Sequence, residues 1–161
     1  MWYYRGNVRE SLHRYKFYKG RHYANAYGRL LSMHLLTRDW TDFDLVTWVP
    51  ISAQRKRQRG FDQSQLLSKA VSRQLQLKCV STLKKHRHTP PQSGIHGIAE
   101  RRANVLGAYR ACNPGAIAGK RILLLDDIIT TGSTASECAR VLLTAGAKEV
   151  FCAAVAATDK G

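Results

Sequence analysis

The sequence predicts an α/β fold, a parallel sheet covered by helices. Three observations predict it. The stretches 45–49 and 122–125 are apolar without a polar alternation, as strands buried on both faces are. Residues 61–75 repeat with helical period, placing Leu66, Leu67, Ala70, Val71 and Leu75 on one stripe. Strand-like and helix-like segments then alternate along the chain, the order from which parallel sheets are built.

The elements follow in order. Residues 8–17 and 23–36 predict two helices parted near Gly20; Tyr27, Leu30, Leu31 and Leu35 form a stripe that reads as core packing. Residues 1–44 are expected to make an N-terminal helical segment and 45–161 the core, as one compact domain overall. Pro50 ends the strand 45–49, and 79–83 is a short strand. Residues 84–97 are basic, with two prolines and two glycines, and predict an exposed loop. A helix is expected at 98–105, a strand at 106–111, a turn at 115–120, a helix at 135–145 and a last strand at 150–156. No internal repeat is present. Residues 115–120 faintly suggest a phosphate-binding Walker loop, but they precede a strand, and no Ser or Thr follows Lys120.

With 161 residues, the chain suffices for one domain with a proper core. No apolar run approaches membrane-spanning length, and the N-terminus lacks a signal peptide's apolar centre. Membrane insertion is therefore not expected, and a cytoplasmic location is. Cys79, Cys112, Cys138 and Cys152 are widely spaced with no Cys-x-x-Cys pair, so neither zinc nor a disulfide framework is expected. His86, His88 and His96 lack neighbouring acids and suggest no metal site. Lys and Arg number 26 against 11 Asp and Glu, a net charge of +15. That excess implies a polyanionic partner, polyphosphate or nucleic acid, without choosing between them.

The most informative stretch is Ile122-Leu123-Leu124-Leu125-Asp126-Asp127-Ile128-Ile129-Thr130-Thr131-Gly132-Ser133-Thr134. A buried strand carries two carboxylates to its carboxyl end, where open α/β sheets bind ligands. Residues 130–134 offer backbone N–H groups and hydroxyls, and Gly132 permits close approach or a positive φ. A helix starting near Ser133 aims its unpaired N–H groups at the loop, which favours a phosphate. The carboxylates suit sugar hydroxyls or a hydrated Mg²⁺. Each feature alone has an ordinary structural reading; their order points to a site for a phosphorylated sugar.

Two basic segments accompany it. Residues 49–64 run from a strand into a loop with four cations in five residues, Arg55, Lys56, Arg57 and Arg59, then Gly60 and a helix start. Arginine forks there match pyrophosphate oxygens, although a charge run alone is equally a solvated surface. Residues 84–92, followed by Arg101, Arg102 and Asn104, suit a mobile segment closing over a polyphosphate, or a nucleic-acid contact loop.

The stretch 122–134 resembles the signature of type I phosphoribosyltransferases, which bind 5-phosphoribosyl-1-pyrophosphate (PRPP). The resemblance implies a Rossmann-like parallel sheet flanked by helices, with a small N-terminal helical hood. It implies that Asp126 and Asp127 engage the ribose hydroxyls and lie near the developing ribosyl cation, with Mg²⁺ held mainly by PRPP. It implies that Ile129, Thr130, Thr131, Gly132, Ser133 and Thr134 hold the 5′-phosphate. Ile51, Ser52, Arg55, Arg57, Arg59 and Gly60 would bind pyrophosphate; Lys85, Arg87, Thr89, Gln92, Arg101 and Asn104 would belong to a flexible loop.

The Arg59-Gly60-Phe61-Asp62-Gln63 element, Arg87-x-Thr89-x-x-Gln92, Arg101-x-x-Asn104-Val105 and Lys16-Phe17-Tyr18-Lys19-Gly20 narrow the resemblance. Across residues 15–156 the chain resembles the ComF family, competence-associated phosphoribosyltransferase-like bacterial proteins. It departs in lacking the usual N-terminal cysteine-rich zinc ribbon, in Asp62 where Asn is common, and in a slightly longer spacing between Gln92 and Arg101. Two functions stay open on this basis: phosphoribosyl transfer to a nitrogenous acceptor, or non-catalytic binding of PRPP, a nucleotide or single-stranded DNA in DNA uptake. A homodimer is compatible with the sequence, which does not fix the oligomeric state.

Overall fold

A computed structural model describes residues 2–17, 20–87, 89 and 97–158. In chain order these form β1 (Trp2–Tyr3), α1 (Gly6–Phe17), α2 (Tyr23–Thr37), β2 (Leu45–Trp48), α3 (Ala53–Arg59), α4 (Gln63–Gln74), β3 (Lys78–Cys79), β4 (Leu83–Lys85), α5 (Ile98–Val105), β5 (Tyr109–Ala111), α6 (Pro114–Ile117), β6 (Arg121–Ile129), α7 (Ser133–Thr144) and β7 (Glu149–Ala157). Five strands make a sheet in the order β1-β7-β6-β2-β3, and every pairing in it is parallel. Strands β4 and β5 pair antiparallel in a separate ribbon.

The unbroken apolar run 122–125 has a simple cause: its side chains feed two cores. Leu123 and Leu125, with Val46 of β2, pack against Leu12 and Tyr15 of α1, Leu31 and Leu35 of α2, and Leu67 and Val71 of α4. Ile122 and Leu124, with Leu45, meet Val105, Ile117, Cys138 and Leu142 on the opposite side. A strand with apolar neighbours on both faces has no polar alternation to display.

The topology places the site. From β2 the chain passes through α3 and α4 to β3 on one side, and from β6 through α7 to β7 on the other. The two connections diverge, so a crevice opens beyond the carboxyl ends of β2 and β6, at the switch point where open α/β sheets bind ligands.

Several details differ from expectation. The cationic segment after Ile51 is not a loop but the short helix α3. Ser52 caps it by accepting the Arg55 N–H at 3.3 Å, and Gly60 ends it with φ +76°. Strand β6 does not stop before the acids; it carries Asp126 and Asp127 within it and runs to Ile129. Lys84 and Lys85 lie in β4 rather than in a loop. Leu30 leaves the α2 stripe and is 44% exposed. Among the described residues, no helix is long and apolar enough to cross a membrane.

Candidate functional site

The acids sit on the β6 end facing this crevice. Asp127 is buried and Asp126 opens partly to the cleft. Asp126 Oδ1 accepts hydrogen bonds from Ser64 Oγ at 2.9 Å and from the Asp127 N–H at 2.8 Å. Lys16 Nζ lies 3.0 Å from Asp127 Oδ2. Burial, and then the charge of Asp127, push the Asp126 carboxyl up to about 7, against the lowering effects of Lys16 and its two donors.

The loop that follows turns on Gly132, whose φ of +77° is a left-handed conformation that suits glycine. Thr131 Oγ1 and Ser133 Oγ share a hydrogen bond at 2.8 Å, and the Ser133 N–H donates to Thr131 Oγ1 at 3.4 Å. Helix α7 begins at Ser133, so its first N–H groups face the loop.

Helix α3 forms the next wall. Asp62, buried, holds its base: Oδ2 accepts the Ile51 N–H and Oδ1 the Gln65 N–H, both at 3.1 Å, which also caps α4. Burial raises the Asp62 carboxyl above the usual range, while these two donors oppose the shift. Arg55 Nη2 donates to Thr89 O at 2.9 Å. The Arg59 guanidinium lies over the Phe17 ring, 4.8 Å from its centroid. Burial lowers its pKa, and Asp127 counteracts that.

A cleft of about 540 Å³ gathers Ile51, Arg55, Arg59, Lys85, Thr89, Asp126, Asp127, Thr130 and Thr134. Ile129, Gly132 and Ser133 line a small adjoining pocket with Thr130 and Thr134. Other expected residues stand apart from both linings. Ser52 is buried as a helix cap, Arg57 and Gly60 are exposed, and Thr131 serves the loop's own hydrogen bonds. Arg87 donates to Asn104 O at 3.3 Å and Leu106 O at 2.8 Å, which ties it to the end of α5; Arg101 lies on the same helix. Gln92 falls outside the described residues.

The cleft also contains residues the sequence reading did not single out for the site: Tyr4, Lys16, Phe17, Gln58, Gln63, Ser64 and Tyr109. Lys16 and Phe17 belong to the Lys-Phe-Tyr-Lys-Gly element, which was the available signal. Lys85 Nζ lies 5.1 Å from the Tyr109 ring centroid, and burial, then Arg55, push its ammonium down to about 8. Thr89 is 1% exposed, and its Oγ1 has no hydrogen-bond partner among the described residues. An orphaned buried hydroxyl on a cleft wall suits a ligand's polar atom. The acids are the hard oxygen donors that Mg²⁺ takes. Among the described residues no group of three or more His, Cys, Asp or Glu could cage a metal.

Residues 62–161 match the phosphoribosyl transferase domain family. The chain is 35% identical to DNA utilization protein YhgH of Escherichia coli O157:H7 over 144 residues, covering 86% of this chain and 62% of that protein. It is 35% identical to Competence protein F of Haemophilus influenzae over 104 residues, 63% of this chain and 45% of that protein. It thus spans less than two thirds of the length of either relative. The fold is similar to glutamine PRPP amidotransferase from B. subtilis complexed with ADP and GMP, with a TM-score of 0.55 and 25% identity over 80% of this chain and 25% of that one. Phosphoribosylpyrophosphate synthetase from Mycobacterium smegmatis shares the fold at a TM-score of 0.50 and 21% identity, over 81% of this chain and 33% of that one. The chain therefore belongs to the phosphoribosyl transferase domain family, as a ComF-like member.

Proposed function

We propose that the protein binds PRPP and transfers its 5-phosphoribosyl group to a nitrogenous acceptor. The bond from ribose C1 to pyrophosphate breaks, a bond from C1 to the acceptor nitrogen forms, and pyrophosphate leaves. The observation that carries this is the meeting, in one cleft, of the acid pair, Thr130 and Thr134, Arg55, Arg59 and Lys85. The acids would orient the ribose and face the positive charge that develops on it. The loop 129–134 would anchor the 5′-phosphate, so that binding energy away from the reacting carbon positions it. Arg55, Arg59 and Lys85 would hold the pyrophosphate. Asp126 and Asp127 would help to hold a Mg²⁺ brought in with PRPP, which when bound would supply neutralising charge for the leaving pyrophosphate. The N-terminal helices would act as the hood over the acceptor, with the Tyr4 and Phe17 rings on the cleft wall as the surface for a planar base.

The test is PRPP-dependent release of pyrophosphate across a panel of purines, pyrimidines and amines. Stimulation by one acceptor, abolished in Asp127→Ala, is the expected result; no stimulation by any class removes the transferase reading. A second reading, binding of single-stranded DNA in DNA uptake, is favoured by the names of the relatives and by the charge of +15. DNA affinity that falls steeply with salt and needs no PRPP would favour that reading instead.

A further inference from the structure

The two acids of the site already have resident partners. Lys16 Nζ sits 3.0 Å from Asp127 Oδ2, with 20% and 10% of the two side chains exposed. Ser64 Oγ and the Asp127 N–H both donate to Asp126 Oδ1. The lysine is held in place by its surroundings. Tyr15 Oη donates to Gln63 O at 2.6 Å, Gln63 Nε2 donates to Lys16 O at 3.5 Å, and Phe17 lies against the Arg59 guanidinium. The end of α1 is thereby fixed to the start of α4, and the pairing of Lys16 with Asp127 is built into the fold.

This matters for sugar recognition. A buried acid that relies on a ligand hydroxyl for its hydrogen bond is left unpaired by a ligand lacking that hydroxyl. Sites built in that way reject the analogue by about 10⁴-fold or more. Here the loss of one sugar hydroxyl strands neither acid. Asp127 keeps Lys16, and Asp126 keeps Ser64 and a backbone N–H. What remains to be lost is one exchangeable hydrogen bond to a carboxylate, a factor of roughly ten to a hundred, still far short of that rejection.

We propose that the sugar subsite at Asp126 and Asp127 takes 2-deoxyribose 5-phosphates as well as ribose 5-phosphates, preferring ribose by no more than about a hundredfold, with Lys16 as the positioning residue responsible. This rests on the reading that the acids face the sugar and the loop 129–134 holds its 5′-phosphate. Both ligands share the phosphate contacts, so their affinity ratio reports the hydroxyl alone. The ligand class includes deoxyribonucleoside 5′-monophosphates, which hydrolysis of DNA releases.

The experiment is an NMR titration of the ¹⁵N-labelled chain, without metal, using ribose 5-phosphate against 2-deoxyribose 5-phosphate and AMP against dAMP. It uses the wild type, Lys16→Arg and Lys16→Met. Wild type and Lys16→Arg are expected to bind the two sugars within about a hundredfold of each other. Lys16→Met, which strands Asp127, is expected to widen the ratio in favour of ribose by about tenfold or more. A wild-type preference for ribose well beyond about a hundredfold, toward the about 10⁴-fold of a site that strands its acid, overturns the proposal while leaving the phosphosugar site intact. An unchanged ratio in a well-dispersed Lys16→Met spectrum overturns the role of Lys16; if that variant unfolds, the wild-type and Lys16→Arg ratios still decide. No shifts at residues 126–134 with any ligand overturn both the proposal and the reading beneath it.

Discussion

Asp126 holds charge where the fold would rather have none. Its carboxyl is pushed up to about 7 by burial and by Asp127, so above that pH its ionisation opposes folding. The opposition fades as pH falls from about 7 toward the ordinary carboxylate value, because the folded form then binds a proton that the unfolded form does not. Asp126→Asn keeps an oxygen for Ser64 and the Asp127 N–H, and adds an amide that can donate to Asp127. We expect it to stabilise the protein at pH 8 by on the order of 2 kcal/mol, with the gain shrinking toward pH 4. Urea unfolding at the two pH values measures this; a loss of stability at pH 8 contradicts it. The acid pair and its loop were legible because strand, carboxylates, glycine and helix start are contiguous in sequence. Ser64 was not, since it reaches Asp126 from 62 residues away and looks like any polar residue in a first helical turn. Lys16 was named only as part of a motif, because its partner is set by how α1 docks.

At the scale of elements, the contact between α2 and α4 is set by one residue. A Cβ added at Gly28 would stand 2.5 Å from Ala70 Cβ and 3.2 Å from the Ala70 carbonyl carbon. Gly28 therefore lets two helices approach closely beneath the site wall that α4 begins. In an open helix, Gly→Ala would gain up to about 1 kcal/mol from propensity. Here we expect Gly28→Ala to cost about 1–3 kcal/mol net, with partial recovery in Gly28→Ala/Ala70→Gly. Denaturant midpoints decide, and a Gly28→Ala variant as stable as the wild type contradicts the packing argument. The strand expected at 79–83 proved to be the separate β3 and β4, and β1 went unsignalled, but β2, β6, β7 and the long helices were legible because burial wrote their apolar runs and stripes. Helix α3 was not, because it buries no residue and is made by its Ser52 and Gly60 caps. β4 was missed for a related reason. Its two lysines read as solvated charge, although Leu83 is buried and the Lys85 ammonium lies by the Tyr109 ring.

Across the whole molecule, charge is unevenly used. Asp42, Asp44 and Glu149 pair with Lys120 and Arg121 at the start of β6, the end away from the cleft. Asp126 and Asp127 lie toward the other end of the same strand, where Arg55, Arg59 and Lys85 converge. The composition announced a polyanionic partner; only the sheet topology, with its diverging connections, brings those cations to the acids. The central claim is that this crevice binds PRPP. The most direct measurement is calorimetry of PRPP with Mg²⁺ on the wild type and on Asp126→Ala/Asp127→Ala. Micromolar-range binding by the wild type, lost in the folded double variant, is the expected result. Absence of binding to the well-folded wild type, or equal binding by the variant, would contradict the claim.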